Sequence, residues 1–170
     1  MKYIAGIDPG NESSAFALID IETLRPIAAY KGKNENTVEN LLNEANAEDI
    51  ISAPIERMQS YGMGVGQSVF DTCIWTGRFI ERLNAKGIDT PLIPRREVKL
   101  YHCGMASAKD ANVIAALKER FGDKGTKKKP GWFYGIKLDM WQAYALAVYY
   151  AEVYIKKQRE EEEKWLGCLK

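Results

Sequence analysis

The sequence has few of the residues that a secreted, membrane-bound or zinc-binding protein needs. Its three cysteines, at positions 73, 103 and 168, are an odd number and show no Cys-x-x-Cys spacing. The only histidine, His102, has no second ligand pair at zinc-binding spacing. No run of about 20 apolar residues could span a membrane, and no apolar leader follows a basic start. We therefore expect a reduced, cytoplasmic protein with no membrane span and no zinc site.

The chain also has almost no net charge, which by itself indicates neither a nucleic-acid-binding nor a membrane-binding protein. It contains 24 Lys and Arg residues against 23 Asp and Glu residues. Four of the acids are consecutive, at Glu160–Glu163, and setting these four aside raises the net charge from +1 to +5. Basic residues cluster at Arg95–Arg96, at Lys99 and over Lys124–Lys129. These clusters are either solvated faces or contacts for an anionic polymer.

Length and composition fit one globular domain. The 170 residues are 46% hydrophobic and 28% charged, enough apolar material for a core without disulfides. We expect a domain over residues 1–155 and a charged helical extension over residues 156–170.

Hydrophobic patterning predicts an α/β fold. Short apolar segments at 3–7, 14–20 and 26–30 have connections too short for crossover helices, which favours an antiparallel meander. Strands are also predicted at 50–55 and 90–93, and helices at 37–47, 67–85, 94–101, 107–121 and 138–157. Ser107 is the expected N-cap of the fourth helix, with Asp110 at its third position. The expected architecture is a five-stranded mixed sheet flanked by helices on both faces.

Three acids stand at element ends. Asp8 ends the first strand, Glu56 follows the fourth, and Asp139 opens the last helix. Each alone fits an ordinary role: a turn, a solvated strand end, or a helix-dipole contact. If the first and fourth strands are neighbours, the three carboxylates meet at one sheet edge. Oxygen ligands select Mg²⁺ or Mn²⁺, and two such ions about 3.5–4 Å apart support phosphodiester hydrolysis.

Four segments in this order resemble RuvC-type Holliday-junction resolvases of the bacterial, phage and poxvirus-like branches. They are residues 4–10 (IAGIDPG), Ile55-Glu56, residues 104–110 (GMASAKD) and residues 139–147 (DMWQAYALA). The resemblance spans roughly residues 1–150. It implies a ribonuclease H-like fold, a homodimer, and Mg²⁺- or Mn²⁺-dependent paired nicking of four-way DNA junctions, with two ions per active site and no nucleotide cofactor. It also implies that Asp8, Glu56 and Asp139 are the catalytic, metal-binding carboxylates of a bacterial or phage-encoded enzyme in the cytoplasm.

The chain departs from the family at Gln142, where many relatives carry a second acid one helical turn after the first. An amide oxygen can coordinate a metal weakly but brings no charge. Either one metal is loosely held, or another acid such as Asp110 compensates, although Asp110 is expected to cap its own helix. Two alternatives remain open. Gln142 favours a junction-binding protein with weak or no cleavage, whereas the opening strand and Asp-x-Gly turn are also typical of an ATP-dependent sugar-kinase or actin-like protein. The chain is too short for the two domains of the latter.

DNA contacts are expected from a basic loop and from the approaches to the site. Lys127, Lys128 and Lys129 precede aromatics at 132–134 that either stack on bases or fold back onto the core. Lys109 lies near a helix start where a phosphate could bind. Tyr61, in a Gly-rich loop, is the candidate wedge against unstacked bases.

Overall fold

The computed structural model describes residues 1–60, 62, 64–157 and 165. It has six strands: β1 (Tyr3–Asp8), β2 (Ser13–Asp20), β3 (Pro26–Lys33), β4 (Ile50–Ser52), β5 (Ile55–Arg57) and β6 (Leu92–Pro94). It has five α-helices: α1 (Asn34–Glu44), α2 (Gln67–Asn84), α3 (Arg95–Cys103), α4 (Asp110–Phe121) and α5 (Met140–Tyr150). A 3₁₀ turn over Ala47–Asp49 leads into β4, and a π-helical segment over Ala151–Lys156 continues α5.

The strands form one mixed sheet, which confirms the predicted α/β architecture. Its order is β3-β2-β1-β5-β6, and β4 also pairs with β1. The first three strands are the predicted antiparallel meander, whereas β4 and β5 run parallel to β1 and β6 runs parallel to β5. Strand β1, which ends at Asp8, therefore lies next to β5, which contains Glu56.

The predicted fourth strand is interrupted, so the sheet has six strands rather than five. Pro54 has no N–H group to give to the ladder, and the segment divides into β4 and β5 around Ala53 and Pro54. Backbone hydrogen bonds to the neighbouring segments continue through Ala53 and Pro54. The Ala53 N–H donates to the Asp89 carbonyl at 2.7 Å, and the Ile7 N–H donates to the Pro54 carbonyl at 2.9 Å.

Each face of the sheet covers its own core. Alternate residues of β1 divide between the two: Ile4 packs with α5, whereas Ala5 and Ile7 pack with α1 and α2. Every residue of α5 is buried. Gly6 lies on the α5 side, and a Cβ atom there would lie 2.1 Å from the Ala143 carbonyl oxygen. The absence of a side chain at Gly6 therefore lets α5 lie directly on β1.

Replacing Gly6 with alanine is expected to destabilise the fold by about 2–3 kcal/mol, since overpacking of a tight core has costs of this order. The obstructing atoms belong to the α5 backbone, so a rotamer change cannot relieve the clash. Urea denaturation measures the effect. Gly66→Ala is the control, because a Cβ atom there meets nothing within 4 Å, and its effect should stay within about 0.5 kcal/mol. Equal stabilities of the two variants would contradict this packing.

Two helices begin three residues away from their predicted starts. Helix α1 begins at Asn34, directly after β3, and not at residue 37. Helix α4 begins at Asp110, and the expectation that Ser107 is the N-cap with Asp110 at the third position was wrong. Lys109 is the residue before the helix, and its backbone N–H donates to the Asn112 side-chain oxygen at 2.9 Å. The carboxylate of Asp110 is engaged elsewhere, with basic residues of α3.

Within the described residues, no helix has both the length and the apolar character needed to cross a bilayer. Of the predicted extension, residues 158–164 and 166–170 lie outside the described residues.

Candidate active site

Asp8 and Glu56 lie side by side at the ends of two adjacent strands. Ile7 of β1 is in register with Ile55 of β5, so the acids that follow them are neighbours. Neighbouring strands are about 4.8 Å apart. Both isoleucines belong to the core under α1 and α2, and alternation therefore directs both carboxylates to the α5 face.

Asp139 approaches this edge from the start of α5. It is the residue before Met140, and its carbonyl oxygen accepts the Gln142 and Ala143 N–H groups at 3.0 and 3.1 Å. Leu138, just before it, adopts a left-handed φ of 50°, which is uncommon for a residue with a side chain. Because α5 lies on Gly6, two residues before Asp8, the first turn of the helix is positioned over the end of β1.

The three carboxylates interact electrostatically. Burial and the charge of Glu56 raise the pKa of Asp8 to about 8, and Asp139 adds to this rise, while Arg95 and Lys31 oppose it. Burial also raises the pKa of Glu56, whose side chain is 13% exposed, against the opposing effect of Arg95. The cluster thus carries more negative charge than its surroundings readily accommodate.

Arg95 pairs with Glu56 on one side of the cluster. Its guanidinium donates to Glu56 at 2.9 Å and to Asp110 at 2.8 Å, and Lys99 also pairs with Asp110 at 3.1 Å. Although partial burial opposes it, the hydrogen bond from Arg95 lowers the pKa of Asp110. Asp110 therefore neither caps its own helix nor joins the three carboxylates directly.

Lys31 pairs with Asp139 on the other side of the cluster. Asp8 is in register with Ala15 of β2, and Ala15 is in register with Lys31 of β3, so Lys31 shares the α5 face with Asp8. Sequence reasoning missed this residue, because no motif marks a lysine in a strand that pairs with neither of the acid-bearing strands. Arg95 was noted only as part of a basic cluster.

The donor chemistry of the cluster suits a hard divalent cation, because buried carboxylates that repel one another are stabilised by positive charge. Among the residues that the structure describes, however, no group of three or more Asp, Glu, His or Cys side chains is placed to hold a metal ion. Two of the three carboxylates are instead turned to Arg95 and Lys31. Gln142 lies one turn after Asp139 and is only 8% exposed.

The basic segment forms a small hairpin. The N–H of Thr126 donates to the Lys129 carbonyl at 2.9 Å, and the N–H of Lys129 donates back to Thr126 at 3.1 Å. This turn leaves Lys127, Lys128 and Lys129 exposed. The base of the hairpin continues into Phe133, whose ring lies 4.6 Å from that of Trp141 in the first turn of α5. The hairpin is thereby tied to the helix start that carries Asp139.

The aromatics after the lysines belong largely to the core, which was one of the two alternatives left by the sequence. Phe133 is fully buried, and Trp132 stacks on Phe121 and donates its indole N–H to the Tyr144 hydroxyl at 3.0 Å. Only Tyr134 of the three is exposed. Lys109 is exposed before α4. Tyr61, the candidate wedge, lies outside the described residues.

Comparison with solved structures places this architecture among known folds. One match is a structure of RuvC from Thermus thermophilus, with a TM-score of 0.65 and 16% sequence identity; it covers 88% of this chain and 93% of that chain. A second is T. thermophilus RuvC in complex with a Holliday junction substrate, with a TM-score of 0.69 and 16% identity, covering 89% of this chain and 93% of that chain. No protein-family model and no curated protein sequence matches the chain. The mixed sheet, its flanking helices and a correspondence over 88–89% of this chain give the protein a RuvC-like, ribonuclease H-like fold.

Proposed function

We propose that this protein is a structure-selective DNA endonuclease that resolves four-way junctions by metal-dependent phosphodiester hydrolysis. The observation that carries the proposal is the cluster of Asp8 and Glu56 on adjacent strand ends with Asp139 at the start of α5. Burial, together with the charges of Glu56 and Asp139, raises the pKa of Asp8 to about 8. The RuvC-like fold supports it, because one matched structure holds a Holliday junction substrate. Acting on DNA, the enzyme would work in the cytoplasm of a bacterium or of a phage-infected cell.

In this proposal Asp8, Glu56 and Asp139 hold Mg²⁺ or Mn²⁺, two ions per site, and Gln142 is the candidate fourth ligand. The ions supply charge that activates water and stabilises the leaving oxygen. The rigid strand ends fix Asp8 and Glu56, and the contact between α5 and Gly6 fixes the start of the helix at Asp139. Lys109 and the lysine hairpin at 127–129 bind the DNA backbone, with Tyr61 as the proposed wedge.

Incubation of the purified protein with synthetic four-way, three-way and linear duplex DNA tests the activity. Each substrate is treated with Mg²⁺, Mn²⁺ or EDTA, and the products are mapped strand by strand. We expect paired nicks at symmetric positions of the four-way junction, only in the presence of a divalent cation. Equal cutting of linear duplex DNA would contradict junction selectivity.

A second candidate is a junction-binding protein with little or no cleavage. Gln142 supports it, because this buried amide brings no negative charge to the site, and so do the ion pairs that engage Glu56 and Asp139. Replacing Gln142 with aspartate separates the two candidates. A wild type that binds but does not cut, together with a Q142D variant that cuts, would favour the binding protein.

The exposed face of α2 supports the proposed homodimer. The buried face of this helix, with Phe79 and Leu83, packs toward the sheet. On the opposite side Phe70 and Ile74 are 54% and 55% exposed, and Gly77 follows one turn later with open space around it. Large exposed apolar side chains spaced one turn apart are typical of a helix that packs against another protein. We propose that a second copy of this chain covers them.

Replacing Ile74 with glutamate is expected to convert the dimer into a 19.2 kDa monomer, since a charge at the centre of an apolar interface is desolvated without a partner. Sedimentation equilibrium measures the mass. Ile27→Glu is the control, because Ile27 is 46% exposed on β3 and lies outside α2. A wild type that sediments as a monomer would contradict the dimer.

A further inference from the structure

Two basic side chains, Lys31 and Arg95, neutralise the carboxylates of the candidate site from opposite sides. Lys31 pairs with Asp139 and Arg95 pairs with Glu56, and their side chains are only 25% and 33% exposed. Glu56 is only 13% exposed, so its pair with Arg95 is less screened than a surface pair. Asp139 is 50% exposed, and its pair with Lys31 is therefore screened more. Loss of either base would leave a partly buried carboxylate without its charge partner.

Both bases project from ordered elements next to the strand ends. Lys31 is in the same cross-strand row as Ala15 and Asp8. Arg95 begins α3 directly after β6, where Pro94 is in register with Arg57, the residue that follows Glu56. The two cations are therefore held at fixed places, with Asp8 between them.

The ion pairs occur together with the absence, among the described residues, of a group of three side chains placed to hold a metal ion. Glu56 and Asp139 direct their oxygens to Arg95 and Lys31. A divalent cation that bound both carboxylates would compete with both bases for the same oxygens.

We propose that Lys31 and Arg95 are counter-ions of the candidate site. In the metal-free protein they pair with Asp139 and Glu56, respectively. Divalent cations displace them from these carboxylates, and the released bases then bind phosphate oxygens of the DNA. This inference rests on the proposed function and adds two positioning residues to it. The two bases prevent the carboxylates from repelling one another before metal and substrate arrive.

The surroundings of Arg95 provide a place for the released guanidinium. A cavity of about 640 Å³ lies beside the site and is lined by Arg95, Arg96, Lys99 and Ser107, with Met105 and Ala106. Asp110 contacts Arg95 independently of Glu56, at 2.8 Å, and can retain the side chain when Glu56 turns to a metal. A phosphate group entering this basic cavity would meet Arg95 beside the carboxylates.

Metal affinity, measured without DNA, tests the counter-ion role. Mn²⁺ binding is followed by electron paramagnetic resonance for the wild type, Arg95→Gln and Lys31→Gln. We expect each variant to bind Mn²⁺ about three- to tenfold more tightly, because the metal no longer displaces a base. The matched control for Arg95→Gln is Arg96→Gln, because Arg96 lines the same cavity. The matched control for Lys31→Gln is Lys33→Gln, because Lys33 lies on the same strand and face. Neither Arg96 nor Lys33 has an ion pair with an acid in the described part of the chain. Both controls should retain wild-type Mn²⁺ affinity.

Junction affinity, measured with and without Ca²⁺, tests the second part of the role. If a metal releases Arg95 to the phosphate, Arg95→Gln should weaken junction binding more in Ca²⁺ than in EDTA, by about threefold or more. Arg95→Lys keeps the charge and is the second variant if Arg95→Gln does not fold; its Mn²⁺ affinity should stay near that of the wild type.

Failure of this inference is distinguishable from failure of the proposed function. A wild type that binds Mn²⁺ and cuts junctions, with Arg95→Gln and Lys31→Gln of unchanged or weaker Mn²⁺ affinity, overturns the counter-ion role alone. An equal loss of junction affinity in Ca²⁺ and EDTA overturns the transfer of Arg95 to phosphate. A wild type that binds no Mn²⁺ overturns both the inference and the proposed function.

Discussion

Replacing Asp8 with asparagine is expected to abolish junction cutting, by about 10³-fold or more, while junction affinity stays equal to or above that of the wild type. Asp8 lies between Glu56 and Asp139 and is the acid most affected by both. A metal contributes several kcal/mol to the stabilisation of developing charge, and each 1.36 kcal/mol is a factor of ten in rate. Binding is retained because the substitution removes a negative charge near the phosphate. Single-turnover cleavage and a gel-shift assay in Ca²⁺ measure the two effects.

The same variant should be more stable than the wild type in EDTA at neutral pH, by about 1 kcal/mol or more. Burial and neighbouring charges raise the pKa of Asp8 to about 8, so the folded wild type must bind a proton there that asparagine does not need. Mg²⁺ should stabilise the wild type and have little effect on the variant. Asp49→Asn is the control, since Asp49 has an ion pair with Lys2, at the other end of β1 from Asp8. Cutting by Asp8→Asn at a rate near that of the wild type would remove Asp8 from the catalytic site.

Replacing Lys127, Lys128 and Lys129 together with glutamine is expected to weaken junction binding and to flatten its dependence on salt. Each lysine that neutralises a phosphate of duplex DNA contributes about 0.9 to the slope of log K against log salt, so the slope should fall in magnitude by up to about 2.7. All three lysines are exposed on the hairpin whose base packs on the first turn of α5. Fluorescence anisotropy at several salt concentrations measures the slope.

A charge-matched control separates this local effect from a change in net charge. Lys2 precedes β1, Arg82 lies in the last turn of α2, and Lys86 follows that helix; replacing all three with glutamine removes the same number of charges. We expect that control to leave the slope close to the wild-type value. If both triple variants flatten the slope equally, the hairpin is not a specific DNA contact.

The elements with strong local signals are those that the sequence predicted well. The meander of β1, β2 and β3 follows from apolar runs separated by turns too short for a crossover. The predicted start of α4 was wrong for a tertiary reason: Ser107 and Asp110 have the right spacing for a cap, but Asp110 pairs with Arg95 and Lys99 of a different helix. Tertiary ion pairs thus took the place of the predicted capping interaction.

The sequence by itself determined the α/β class and the placement of Asp8, Glu56 and Asp139 at element ends, because hydrophobic period and turn residues are local properties of the chain. Only the tertiary structure decided that Pro54 divides a strand, that Gly6 lets α5 lie on β1, and that Lys31 and Arg95 pair with two of the three acids. The two ion pairs join residues 108 and 39 positions apart. No local pattern encodes such pairs, because their partners become neighbours only when the sheet and helices pack.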